Sequence, residues 1–505
     1  MAKKTPYEQL SELSKEIVTW SSISYLLEWD QETYMPKEAI EFRSSQNSLA
    51  MSHAHKLKIS SKFKKLLESL IDLETAEIKD SSLSDPQKAA VKAWRHDYLT
   101  ASKIPATFVK KWVTTTTQAS SAWSKAKKSN HFKTFAPHLD KIIRFNQKKA
   151  EHLGYKKHPY DALLDLFEPE MTVEELVPLF ESLKIGLKTL LQKIHPCPKP
   201  DNGFLKQHFD PATQFAFNSI LLTAMGFQKE TSRLDITMHP FCIPMHPTDI
   251  RMTTRIQEDD VMSNIFSVLH EGGHGLYGKN LPLEHFGTPL SEAVSLGIDE
   301  SQSRFWETRI GRTRAFWQHF LPELKEKFPQ LNSVTLDQFH AAINIVEPSF
   351  IRVEADEITY SLHVILRFEI EKMIIEGSLT AKDIPSIWNQ KMEELLGITP
   401  PTDALGCLQD IHWSMGSMGY FPTYVLGNLY AAQIFEKFAH DHPEWETKVA
   451  SGNLHFITDW LKTHIHQYGR QYSPHELIIK VTGNPLSEKP FLNYLNEKYQ
   501  KIYNF

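Results

Sequence analysis

Apolar residues recur at helical spacing along most of the chain. Behind Thr5-Pro6-Tyr7-Glu8, the residues Tyr7, Leu10, Leu13, Ile17, Trp20 and Ile23 follow one another at steps of three and four, which is a single apolar stripe. Thr5 suits an N-cap, Pro6 the first helical position, and Glu8 closes a capping box, so a helix is expected to start here. The same period returns over 63–78, 173–194, 356–375 and 424–438. Runs that alternate with period two are short and few. The pattern predicts a mostly α-helical protein.

The main interruption is 233–254, where Thr, Ile, Met, His and Pro mix without helical period and Pro240, Pro244 and Pro247 would break a helix. A loop or a small strand pair is expected there. The segment 196–203, Pro-Cys-Pro-Lys-Pro-Asp-Asn-Gly, can continue no helix and serves as the linker candidate. It divides one catalytic unit, 1–505, into an N-terminal helical lobe, 1–200, and a second lobe, 201–505. At 505 residues the chain exceeds the size of one ordinary core, which fits two lobes.

Composition narrows the partners. With 41% hydrophobic and 23% charged residues, a net charge of -5 and no block of like charge, nothing points to nucleic acid or a membrane surface. The basic pair near the start has no long apolar run behind it, and no stretch of 18 apolar residues occurs, so a soluble cytoplasmic protein is expected. Cys197, Cys242 and Cys407 are far apart and form no CxxC, which excludes a disulfide framework and a thiolate zinc site. A metal here would need His and carboxylate ligands.

Such ligands stand in 261–278, VMSNIFSVLHEGGHGLYG, where His270, Glu271 and His274 form HExxH amid helically spaced Met262, Ile265, Phe266, Leu269 and Leu276. Residues four apart share a helix face, so both imidazoles can reach one ion while Glu271 stands beside the open coordination position. With 24 histidines in the chain the motif would arise by accident in about one such chain in ten. Two features lower those odds. Gly272 and Gly273 lie inside the predicted helix, where each costs about 1 kcal/mol relative to Ala; a close approach by another element would repay that, as would plain helix packing. A catalytic zinc site also wants a third protein ligand, and 296–307 offers a carboxylate on a later helix. Glu300 and Asp299 compete for that role, because adjacent helical residues diverge by about 100° and spacing alone chooses neither. Zinc on such ligands lowers the pKa of water towards about 7 and polarises a carbonyl, with Glu271 as general base. The chain has no GxSxG elbow and no P-loop to support another chemistry.

Further motifs make the chain resemble the carboxypeptidase Taq family of zinc metallocarboxypeptidases. HPF is found as His239-Pro240-Phe241, DxRxT as Asp249, Arg251 and Thr253, IRxxAD as Ile351, Arg352, Ala355 and Asp356, and GxxQDxHW as Gly406, Gln409, Asp410, His412 and Trp413. Trp29-Asp-Gln-Glu-Thr-Tyr-Met-Pro36 is similar as well, and the match runs over nearly the whole chain. The family's HES(Q/G) departs here, with Asp299 in place of its His before Glu300-Ser301-Gln302. The resemblance assigns the third ligand to Glu300. It implies a two-lobed helical fold with a long groove and release of single C-terminal residues from peptides with broad preference. It also implies Zn2+, with Co2+ or another divalent ion as alternatives, and a homodimer.

An exopeptidase must recognise a free carboxylate, for which the planar fork of Arg is suited. Arg352 is the first candidate and Arg251 the second; the plain alternative for Arg352 is an i,i+4 ion pair with Asp356. His412 and Tyr420 are candidates to stabilise the oxyanion, Tyr424 is read as structural, and His239 is placed at the substrate end of the groove. His53, His55, His464 and His466 are read as structural or surface groups. The competing activity is an endo-oligopeptidase or dipeptidyl carboxypeptidase with the same metal chemistry.

Overall fold

The computed structural model describes residues 4–505, and helices joined by short loops make up most of it. The first helix, Pro6–Thr33, begins as its sequence predicts: Glu8 N donates to Thr5 Oγ1 at 3.2 Å and Thr5 N donates to Glu8 Oε2 at 2.8 Å. Val173–Ile194, Thr359–Glu376 and Pro422–Asp441 are the helices expected from their apolar periods. The stretch 63–78 is different. Its helix, Ser61–Leu70, ends early, and Ile71 and Ile78 pair in an antiparallel bridge. Asp72 Oδ1 accepts the N–H groups of Glu74 and Thr75, so a local side-chain turn wins over the helical period.

The 233–254 interruption holds three strands rather than a loop or a pair: β1 Ser232–Ile236, β2 Cys242–His246 and β3 Asp249–Thr254, in the order β1-β3-β2. β2 runs antiparallel to β3, and β1 runs parallel to it. Pro244 lies in β2, an edge strand, where a missing N–H is tolerated. Two family-like motifs meet here, because Phe241 N donates to Thr253 Oγ1 at 2.9 Å.

Buried apolar side chains form two clusters. The smaller joins Leu10, Leu13, Phe63, Leu67, Trp94 and Tyr98 to Leu290, and the larger extends from Ala119 to Tyr503. Leu190, Ile194, Leu205 and Phe209, on either side of 196–203, all belong to the larger one. We therefore propose that the lobes divide near Lys103, where the Asp85–Lys103 helix ends, rather than near residue 200. No helix among the described residues is long and apolar enough to cross a membrane.

Candidate metal centre

HExxH lies on the helix Val261–Asn280, which starts at Asp260, whose Oδ1 accepts Ser263 N at 3.0 Å. Most of this helix is buried, and its glycines decide what can approach. A Cβ on Gly275 would meet Ile250 and Met252 of β3 at 3.1 and 3.2 Å, so the small sheet packs directly on the motif helix. A Cβ on Gly273 would lie 2.5 Å from Gln302 O and from Ser303 Cα. Those atoms belong to the backbone of the helix Leu296–Arg304, which carries Asp299 and Glu300. Gly273 is thus the point where the third-ligand helix touches the motif helix. Gly427, on Pro422–Asp441, supports Glu300 from the other side, where a Cβ would lie 2.7 Å from Glu300 Cβ.

This packing brings His270, His274 and Glu300 together, with one donor atom from each within 4.8 Å of the others. Nε2 of His270 and Nε2 of His274 lie 3.6 and 3.5 Å from Glu300 Oε2. Behind the rings stand two more carboxylates: Glu307 Oε2 is 2.9 Å from His270 Nδ1, and Asp299 Oδ1 is 3.0 Å from His274 Nδ1. A carboxylate bonded at Nδ1, as Glu307 is at His270, keeps the proton there and frees the Nε2 lone pair for a metal; Asp299 lies within ion-pair distance of His274 Nδ1 but off the hydrogen-bond direction. Glu300 Oε1 is buried without a hydrogen-bond partner, an orphan that a cation would satisfy. The donor set of two imidazoles and one carboxylate fits a divalent ion with a position left open. Asp299 thus stands at the outer nitrogen of a ring, while Glu300 Oε2 faces both Nε2 atoms and could serve as a ligand oxygen.

Electrostatics follows the carboxylates. Burial opposes a charged imidazole at both histidines, yet Glu300 and Glu307 at His270, and Asp299 at His274, outweigh it and hold both pKa values above the usual range. Burial raises that of Glu271, against the pull of the two imidazoles. Glu307 is held well below the carboxylate range despite burial, chiefly by Arg304, whose Nη1 is 2.7 Å away.

Next to the centre lies a wall of arginine and aromatic rings. Arg352 is buried; its Nε and Nη2 donate to Asp410 Oδ1 at 3.1 and 3.0 Å and its Nη1 to Tyr360 OH at 3.2 Å. Its partner is Asp410 and not Asp356, which instead accepts the N–H groups of Ile358 and Thr359 at the start of Thr359–Glu376. Arg352 N also donates to Gln409 Oε1 at 2.9 Å, which joins the IRxxAD and GxxQDxHW segments. The guanidinium stands 4.9 Å from the Tyr424 ring, which is 5.3 Å from that of Tyr420. Burial first, then the charges of Glu300 and Asp299 among other groups, push the Tyr420 hydroxyl up to about 12. His412 Nε2 is 3.3 Å from Tyr424 OH, and burial, helped by Arg352 and Arg367, brings its pKa down to about 4.

Two candidates stand apart. Arg251 pairs with Asp249 through Nε and Nη2, at 2.9 and 3.1 Å, and stacks on Trp29 at 4.4 Å, with Arg233 on the same ring at 4.7 Å. It fastens the end of the first helix to the sheet. His239 is exposed in the bend between β1 and β2. His466, read as structural, is buried between Gln302 and Asn280.

A family model described as carboxypeptidase Taq (M32) metallopeptidase matches residues 9–499. The chain belongs to that family. Family membership makes it a metallocarboxypeptidase and bears out the resemblance carried by the motifs. The M32 chain is 40% identical over 513 residues to thermostable carboxypeptidase 1 of Thermus thermophilus, covering 100% of both chains. It is 39% identical to carboxypeptidase 1 of Bacillus subtilis, covering 98% of both. A solved M32 carboxypeptidase from Deinococcus radiodurans superposes with a TM-score of 0.96 at 34% identity, over 99% of this chain and 100% of that one. The mostly helical architecture with a small sheet beside the metal centre agrees with that likeness.

Sequence reasoning missed Glu307 and Tyr360, and found Asp410 as a motif residue without its pairing to Arg352. The spacing of Glu300, Arg304 and Glu307 was a usable signal, since steps of four and three put three charged side chains on one helix face.

Proposed function

We propose that the His270–His274–Glu300 centre releases single residues from the C-termini of peptides, with zinc as its ion. The observation that carries this reading is the convergence of two imidazole Nε2 atoms on one carboxylate, each ring backed by a second carboxylate. A divalent ion bound there would polarise the scissile carbonyl and make water a stronger nucleophile near neutral pH. Glu271, buried beside both imidazoles, takes the proton of the attacking water and returns it to the departing amine. Tyr420 keeps its proton at neutral pH and donates to the developing oxyanion. His412, uncharged at that pH, supports the wall through Tyr424.

Arg352 is the reading's choice for the substrate carboxylate. Three of its N–H groups are engaged by Asp410 and Tyr360, which leaves two of a guanidinium's five free to bind. Arg251 and His239 are secondary choices, and the stacking of Arg251 on Trp29 supports an indirect role for it in placing the first helix over the sheet. The relatives named carboxypeptidases favour trimming at the C-terminus over internal or dipeptidyl cleavage. Glu271→Gln tests the mechanism: metal content is expected to hold at one ion per chain while hydrolysis of an N-blocked dipeptide is lost. Unchanged turnover would refute it, and internal fragments from longer peptides would favour the endopeptidase.

A cytoplasmic homodimer completes the proposal. The helix Ile40–Lys58 supports it by presenting Phe42 and Leu49 at 70% and 73% exposure. Light scattering on the wild type and on a Phe42→Glu, Leu49→Glu variant reads the oligomeric state directly.

A further inference from the structure

Two fully buried carboxylates lie outside the metal centre and take no part in the chemistry above. Glu371, on Thr359–Glu376, accepts three hydrogen bonds: from Tyr160 OH at 2.6 Å, from Trp413 Nε1 at 2.8 Å and from Gly419 N at 3.0 Å. All three donors are neutral, and burial outweighs them and pushes the Glu371 carboxyl up to about 7. What these bonds hold is the glycine-bearing segment in front of Tyr420. Trp413 stands at one end of it and Gly419 at the other, and one carboxylate ties both. Gly419 adopts φ +96°, and a Cβ there would lie 2.8 Å from the carbonyl carbon and oxygen of Leu163. The loop is therefore pressed backbone to backbone on the helix Pro159–Leu164, with no room to slide.

The same short stretch of chain also supports the metal side. The Phe167 ring meets that of Tyr420 edge-on at 5.3 Å, and its carbonyl accepts Leu296 N at 3.0 Å. Glu168, the second buried carboxylate, accepts Gly297 N at 2.9 Å and Tyr430 OH at 2.9 Å. Leu296 and Gly297 form the first turn of the helix that carries Asp299 and Glu300, so Glu168 satisfies a free N–H of that helix start. Residues 160–168 thus bear on both the tyrosine loop and the third-ligand helix.

We propose that Glu371 is a positioning residue for the reaction: by clamping the loop from Trp413 to Gly419 onto residues 160–168, it fixes the Tyr420 hydroxyl relative to Glu300. This rests on the reading of Tyr420 as the oxyanion donor. Glu371→Gln preserves the volume but turns one acceptor oxygen into a donor facing another donor, which loosens one end of the loop. Misplacement of a reacting group by a fraction of an ångström to one ångström costs up to about 100-fold.

The test measures kcat, KM and metal content of the metal-loaded wild type, Glu371→Gln, Tyr420→Phe and the double variant on an N-blocked dipeptide. Glu371→Gln is expected to keep its metal and its KM within about twofold while kcat falls about 10- to 100-fold. In the Tyr420→Phe background the same change should cost less than about threefold, because the group being positioned is gone. A slow Tyr420→Phe with a multiplicative loss from Glu371→Gln would overturn the positioning role alone, as would an unchanged kcat in Glu371→Gln. An unchanged kcat in Tyr420→Phe would instead overturn the oxyanion reading and the proposal with it. Should Glu371→Gln not fold, Tyr160→Phe removes a single donor: a smaller fall in kcat, absent in the Tyr420→Phe background, supports the role, and an unchanged kcat refutes it.

Discussion

Asp299 Oδ1 lies 3.0 Å from Nδ1 of His274, while the neighbouring carboxylate of Glu300 lies 3.5 Å from Nε2 of the same ring. Two consecutive residues thus flank one imidazole from both sides, and Asp299 stands at Nδ1 of His274 where Glu307 stands at Nδ1 of His270, as an ion pair rather than an aligned hydrogen bond. A carboxylate behind a ligating imidazole is worth about 10- to 100-fold in metal affinity. Asp299→Asn should weaken zinc binding by that order in a chelator competition. Stoichiometry at saturating zinc should stay at one per chain, and the same stoichiometry is expected for Asp299→His. An affinity equal to that of the wild type would show that Asp299 does not orient the ring.

The glycines of HExxH make separable predictions. At Gly273 a methyl group would press on the backbone of Gln302 and Ser303, which cannot give way without moving Glu300. Gly273→Ala should therefore cost about 1–3 kcal/mol as overpacking and should also weaken metal binding. At Gly272 the methyl would meet the Sδ–Cε end of Met225, at 2.9 and 2.6 Å, and that flexible end can turn aside. The gain of about 1 kcal/mol in helix propensity then offsets the crowding, so Gly272→Ala should be near neutral in thermal stability. Equal losses from the two substitutions would mean that Gly273 is no special point of contact.

This difference shows what was legible in the sequence. His270, Glu271 and His274 could be placed because i,i+4 geometry is local and needs no tertiary knowledge. Glu300 could not be separated from Asp299 by spacing, since the choice is made by Gly273 and Gly427, which set the depth and rotation of another helix. The helices at 173–194 and 424–438 were readable because their apolar stripes are long. The end of the helix at Leu70 was decided by Asp72 bonding its own turn, and the parallel pairing of β1 with β3 by residues that are distant along the chain. Arg352 was found as a motif residue, but Asp410 as its partner depends on a contact 58 positions away.

That contact sharpens the prediction for Arg352. Removing a buried arginine costs stability as well as binding, although Asp410 retains Arg367, whose Nε donates to Asp410 Oδ2 at 2.7 Å. A fall in activity alone would therefore decide nothing. Arg352→Ala should weaken cleavage of peptides with a free C-terminus far more than of the same peptides amidated there, measured on folded, metal-loaded protein. Equal losses on both substrates would assign Arg352 to the fold.

The two cores are tied by Asp97 on Asp85–Lys103 and Arg470 near the C-terminal end, and the tie should be visible in acid. Arg470 Nη1 and Nη2 donate to Asp97 Oδ2 and Oδ1, both at 2.9 Å, and Lys58 Nζ lies 3.6 Å from Oδ2. Burial favours the neutral acid, but these cations outweigh it and bring the Asp97 pKa down to about 2 from 3.8. Between those values the unfolded chain binds a proton that the folded chain does not, so stability rises with pH across the window. The contribution is complete above about pH 4 and fades as pH falls to about 2; at about 1.4 kcal/mol per unit it amounts to about 2 kcal/mol. Asp97→Asn should accordingly lower the unfolding midpoint at pH 7, and the gap to the wild type should close on acidification through that window. Because both proteins share the same metal centre and every other titrating group, acid effects elsewhere cancel in the comparison. A gap that stayed constant from pH 7 to pH 3 would show that the pair packs the two cores together without its charge contributing.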